Sequence, residues 1–129
     1  MPKTTISLWV GGAAGDGIAS VGETFVKLSA RSGLHAYAYN SYQSLIRGGH
    51  VLFQTVVAPE KVYTQTDDCD LLIALNQDTI AREAKDAVRG VLFNSDRLKL
   101  DAAALRPGCN SMGLPCMKLA PNPLMQNTV

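Results

Sequence analysis

Ser41 to His50 reads Ser-Tyr-Gln-Ser-Leu-Ile-Arg-Gly-Gly-His, and it gathers the side chains best suited to recognition or proton chemistry. Arg47 offers a planar fork of donors that suits carboxylates, phosphates or backbone carbonyls. Gly48 and Gly49 beside it permit positive φ or close approach of another backbone. His50 can titrate near neutral pH, although a histidine at a strand start, hydrogen-bonded to backbone, is the simpler reading. Tyr42, Ser44 and His50 complete the set of candidates. Ser41, Ser44 and His50 do not amount to a nucleophile–base arrangement, because no group that would orient the base is identifiable.

A second candidate is the glycine-rich turn Gly12-Ala13-Ala14-Gly15-Asp16-Gly17. A strand, a glycine turn and a helix start can cradle phosphate on backbone N–H groups. The spacing is GxxGxG, not the GxGxxG of dinucleotide folds, and there is no GK[ST]. Asp16 stands where it can cap the adjoining helix and also repel a phosphate. Asn40, rather than an acidic residue, ends the second strand, so nothing there is placed to hold a ribose. The turn is therefore either a ligand-proximal loop or a tight corner with close helix–strand packing at Gly22.

Composition narrows the classes. The chain has 129 residues, 47% hydrophobic and 18% charged, with a net charge of +1. That suits one α/β-sized domain spanning residues 1–129. It offers no basic face for nucleic acid, and no apolar run approaches the roughly 20 residues needed to cross a bilayer. The start carries no signal-peptide pattern, so a cytoplasmic location is expected. Cys69, Cys109 and Cys116 form no CxxC pair, and with His35 and His50 they do not complete a zinc or iron–sulfur ligand set. No metal or cofactor is expected on this chain.

These candidates need elements to position them. Thr5–Val10 reads as a strand stopping at Gly11-Gly12, and Ile18–Arg31 as an amphipathic helix with Ile18, Val21, Phe25 and Leu28 on its buried stripe. His35–Tyr39 and Val51–Val57 read as strands flanking the Ser41–His50 loop. Asp70–Leu75 is a near-continuous apolar run of the kind found in central parallel strands. Asn76–Ala87 reads as a helix with Ile80, Ala84 and Ala87 inside, and Gly90–Phe93 as a short strand. Asp101–Leu105 allows a helical turn, and Pro115, Pro121 and Pro123 prevent long regular structure between them. This alternation predicts a three-layer α/β/α domain with a mainly parallel, Rossmann-like doubly wound sheet. The Tyr39–Val57 segment has no helix between its strands, which predicts an antiparallel or edge pairing.

The glycine turn with its helix, Tyr42-Gln43-Ser44-Leu45-Ile46-Arg47-Gly48-Gly49-His50 with Phe53-Gln54, Asp70–Asn76, Val91–Ser95 and Asn122–Val129 occur in an order that resembles the gamma domain of 2-oxoacid:ferredoxin (acceptor) oxidoreductases. Gln43 stands where that family often has proline, and the resemblance makes the last segment the start of a helix that is cut short. The resemblance implies a subunit or domain of an enzyme that decarboxylates a 2-oxoacid oxidatively to an acyl-CoA and reduces ferredoxin. Thiamine diphosphate, Mg²⁺ and iron–sulfur clusters would sit on alpha and beta partners, and ferredoxin and CoA would be met through the complex. The Tyr42–His50 loop and the glycine turn (Gly12, Gly15, Asp16, Gly17) would lie at a partner interface or near the 2-oxoacid or CoA. A stand-alone nucleotide- or CoA-binding module and a non-functional family remnant are the alternatives.

Overall fold

The computed structural model describes residues 4–42 and 49–129, with the backbone alone at 42, 123, 124 and 128. Six strands form one sheet: β1 (Ile6–Ala13), β2 (His35–Tyr42), β3 (His50–Ala58), β4 (Cys69–Ala74), β5 (Ala87–Asn94) and β6 (Asn110–Leu114). Their spatial order is β2-β3-β1-β4-β5-β6. β1–β4, β4–β5 and β5–β6 are parallel, whereas β2–β3 and β3–β1 are antiparallel. The expected α/β sheet is present, and β2 and β3, the strands on either side of the Ser41–His50 loop, make the antiparallel edge. Helix α1 (Ile18–Arg31) lies on one face, and α2 (Gln77–Glu83) with the 3₁₀ turn Ala84–Asp86 on the other.

Alternation along the strands divides the core. Leu8, Val10, Val51 and Phe53 pack under α1 with Ile18, Phe25 and Val26. Trp9, Leu52, Leu72, Ala74 and Val91 face the other way, against Ile80, Ala84 and Leu98. Fully burying a leucine such as Leu72 contributes on the order of 2 kcal/mol. On the α1 face the half-sheet β4–β6 is not covered by that helix, and Leu71, Leu92 and Met112 line a shallow groove there.

Several expected boundaries shift. β1 does not stop at Gly11-Gly12; both glycines pair with β3 and the strand runs to Ala13. The second helix ends at Glu83, and Ala87 opens β5 instead of closing the helix. Leu28 is 57% exposed, and the buried side of α1 runs through Ile18, Gly22 and Ser29. Gly22 lies so close to Phe53 that a Cβ there would overlap the ring. This is the close helix–strand packing anticipated for it. Around these prolines the chain still forms β6 ahead of Pro115, a four-residue α3 (Cys116–Leu119) between Pro115 and Pro121, and 3₁₀ turns over Pro123–Thr128 broken by a kink at Met125.

Candidate functional site

The chain leaves β1 for α1 on one face and leaves β4 for α2 on the other. The carboxyl ends of β1 and β4 are thus a topological switch point, where open α/β sheets place their ligand crevices. A polar crevice of about 310 Å³ opens there, lined by Gly15, Asp16, Leu75, Asn94, Arg97, Gln126 and Asn127. Leu75 N–H reaches across to the Gly11 carbonyl at 2.8 Å and ties the two strand ends together.

The glycine turn forms one wall. Gly15 (φ 98°) and Gly17 (φ 75°) take left-handed conformations that side chains resist. Asp16 does not cap α1. Its carboxylate turns back to accept the Ala13 N–H at 2.9 Å, closing the turn on itself. Gly17 is the N-cap residue, no side chain caps the helix, and no acidic residue lies in its first turn. The positive end of the α1 dipole thus has no side-chain cap, and the nearest fixed negative charge is the Asp16 carboxylate in the turn before it. Asn127 closes the crevice from the far side by donating to the Gly17 carbonyl at 3.4 Å.

The Ser41–His50 loop meets this turn. Ala14 N–H donates to the Gly49 carbonyl at 3.1 Å, and Ala13 pairs with His50 across β1 and β3. Tyr42 ends β2, opposite Val51. Ser44, Arg47 and Gly48 lie outside the described residues. His50 corrects the simpler expectation. Among the described residues its ring makes no hydrogen bond, to backbone or otherwise. It is buried beneath the turn with Nε2 3.5 Å from Glu83 and Nδ1 3.8 Å from Asp78, both on α2. The linear sequence did not single out Glu83, Asp78, Asn94, Arg97, Gln126 or Asn127. Asn94, Gln126 and Asn127 fall in segments that carry the family resemblance, and Asn94 is also a polar residue ending an apolar strand at the switch-point edge.

Among the described residues, no group of three or more His, Cys, Asp and Glu side chains could hold a metal ion. The three cysteines are free. Burial, reinforced by the nearby Asp86, Asp68, Asp70 and Glu83 charges, pushes the Cys69 thiol up to about 12. Burial raises Cys109 and Cys116 as well. A thiol held protonated is a poor ligand and a poor nucleophile. The Cys69 shift has a stability consequence. The folded state holds this proton more tightly than the unfolded chain, so the contribution is intact below pH 9.0 and declines as pH rises toward about 12. The slope is at most about 1.4 kcal/mol per pH unit. Urea denaturation above and below pH 9.0 should show a steeper alkaline loss in the parent chain than in Cys69→Ala.

Residues 7–129 match the profile of the family described as pyruvate ferredoxin/flavodoxin oxidoreductase. The chain is 30% identical over 114 residues to the ketoisovalerate oxidoreductase subunit VorA of Methanothermobacter thermautotrophicus, covering 86% of this chain and 23% of that one. It is 28% identical over 99 residues to a 2-oxoacid:ferredoxin oxidoreductase alpha subunit of Sulfolobus, covering 75% of this chain and 16% of that one. It thus spans under a quarter of the length of these relatives. Among solved structures, the 2-oxoglutarate:ferredoxin oxidoreductase of Magnetococcus marinus, with 2-oxoglutarate, coenzyme A and succinyl-CoA bound, superposes with TM-score 0.85 at 22% identity. That match covers 97% of this chain and 23% of that one. A keto/oxoacid ferredoxin oxidoreductase gamma subunit from Geobacter sulfurreducens superposes with TM-score 0.73 at 22% identity, covering 97% of this chain and 71% of that one.

Proposed function

The chain belongs to the pyruvate ferredoxin/flavodoxin oxidoreductase family, and from that premise we propose that it serves as the gamma-type domain of a 2-oxoacid:ferredoxin oxidoreductase. In this role it assembles with alpha- and beta-type polypeptides in the cytoplasm. The assembled enzyme converts a 2-oxoacid and CoA to an acyl-CoA and passes the electrons to ferredoxin. The isolated chain is inactive. Thiamine diphosphate, Mg²⁺ and the iron–sulfur clusters are assigned to the partners by this reading. No helix of the described residues is long and apolar enough to cross a membrane.

The observation that carries this reading is the junction of the Ser41–His50 loop with the glycine turn, made by the Gly49 carbonyl and Ala14 N–H. It joins Gly49 to the turn whose Gly15 and Asp16 line the switch-point crevice, and this supports assigning the loop residues Tyr42, Ser44, Arg47 and Gly48 to the same interface. Arg47 then meets the partner polypeptide, where a buried arginine is a frequent hot spot. Arg47→Ala in the assembled complex should weaken association about tenfold, equivalent to roughly 1.4 kcal/mol, as read by analytical ultracentrifugation of the co-expressed subunits. Unchanged assembly together with unchanged KM for CoA and for the 2-oxoacid would remove the loop from this role.

A second reading has its own support: the uncapped start of α1, where Gly17, Ile18, Ala19 and Ser20 line a hollow beside the glycine turn, suits the phosphates of a nucleotide or CoA. A thermal shift of the isolated chain with CoA would favour that stand-alone binding module. Co-purification with thiamine diphosphate and brown iron–sulfur colour would favour the complex. A chain that responds to neither is the family remnant.

A further inference from the structure

His50 sits between two elements that are distant in sequence. Its ring is 7% exposed and, among the described residues, neither nitrogen is hydrogen-bonded. Glu83 approaches Nε2 at 3.5 Å and Asp78 approaches Nδ1 at 3.8 Å. The two carboxylates face opposite nitrogens, so they do not converge with the ring on a common point where a metal ion could sit. The arrangement is instead a clamp with two ends, and the ends differ. The Asp78 oxygen nearest His50 already accepts from Arg82 Nε at 2.9 Å. Glu83 is half-buried and, among the described residues, has no competing cation. A buried ring nitrogen without a partner is costly. A shift of roughly half an ångström would bring Nε2 and Glu83 to charge-assisted hydrogen-bond distance. Glu83 is therefore the stronger end.

The backbone beside this ring carries the functional turn. His50 pairs with Ala13, the last residue of β1. The Gly49 carbonyl accepts from Ala14, and Asp16 accepts from Ala13. A restraint on His50 therefore reaches the turn through the Ala13 pairing and the Gly49–Ala14 bond. We propose that His50 is a positioning residue whose ring, held chiefly by Glu83 and more weakly by Asp78, locks the start of β3 to α2 and thereby places the glycine turn Ala13–Gly17. Its bearing on catalysis rests on the proposed function, because the turn is taken there to meet a ligand or a partner. The placement itself does not.

Hydrogen exchange on the full chain is the first test. Glu83→Ala should speed exchange of the Ala13 and Ala14 amides about tenfold and leave Val91, in β5, unchanged. Glu83→Gln, which keeps an acceptor oxygen, should restore most of the protection. His50→Ala should reproduce the local effect, and the double variant should add little to either single one. Unchanged exchange at Ala13 and Ala14, or acceleration spread evenly over the sheet, overturns the inference. In the assembled enzyme, Glu83→Ala should raise KM for CoA severalfold at constant kcat. A fall in kcat at constant KM would overturn the bearing of the clamp on catalysis. A parent chain that fails to assemble defeats the proposed function, while the exchange experiment on the isolated chain still decides the clamp.

Discussion

Replacing Gly22 by alanine is expected to destabilise the protein by about 2 kcal/mol, the order of an overpacked core position. The sign is the informative part. In an exposed helix interior the same change stabilises by roughly 1 kcal/mol, because glycine is the poorer helix former. Here the added methyl would lie within the Phe53 ring, against its near edge rather than at the end of a flexible side chain. Phe53 is buried between Val51 and the α1 residues Phe25 and Val26, so the ring has nowhere to rotate. The helix must then lift from β3, and a close-packed interior resists such a shift. Urea midpoints would show the loss. The double variant Gly22→Ala/Phe53→Leu should recover a substantial part of it, since the smaller side chain opens the space. A single variant as stable as the parent would mean that α1 does not seat on β3 as closely as described.

That contact also explains which parts of the fold are legible in the chain. The β1–turn–α1 unit can be read because glycine punctuates it and the apolar residues after the turn recur at three and four. The direction of the helix is misjudged because apolar periodicity cannot register small residues. Gly22 and Ser29 face the sheet because they are small, and this rotates Leu28 into solvent. β6 escapes notice for a related reason. Asn110-Ser111-Met112-Gly113-Leu114 is an exposed edge strand with no buried face, held mainly by its parallel ladder to β5, and it has weak β propensity and no alternation. The early end of α2 is also hidden, since Ala84 and Ala87 suit a helix face as well as they suit a buried strand start. The candidate site is half legible. Glycines and the Arg-Gly-Gly string mark the loop and the turn. Glu83 lies far along the chain from His50, and only the strand register and the placement of α2 bring them together.

Asp70→Ala is expected to cost about 3 kcal/mol, the largest single loss foreseen, from a residue at the end of the sheet opposite the crevice. The parallel ladder between β1 and β4 begins at Leu8 and Leu71. Beyond it, the Asp70 carboxylate takes over the role of a backbone acceptor, receiving the Ser7 N–H at 2.8 Å and the Ser7 hydroxyl at 3.3 Å. The Asp70 N–H returns a bond to the Ser7 hydroxyl at 2.9 Å. Both residues are buried. Deleting the carboxylate removes charge-assisted bonds and strands a buried N–H, each effect worth roughly 1–3 kcal/mol. The ion pair with Arg89 at 3.4 Å contributes far less, because Arg89 is 60% exposed and solvent screens it. Arg89→Ala should therefore cost under about 1 kcal/mol, and Asp70→Asn, which keeps one acceptor oxygen, should fall between the two. Chemical denaturation of the three variants separates the hydrogen bonds from the salt bridge. If Arg89→Ala proved as damaging as Asp70→Ala, the ion pair rather than the Ser7 bonds would hold the strand ends together.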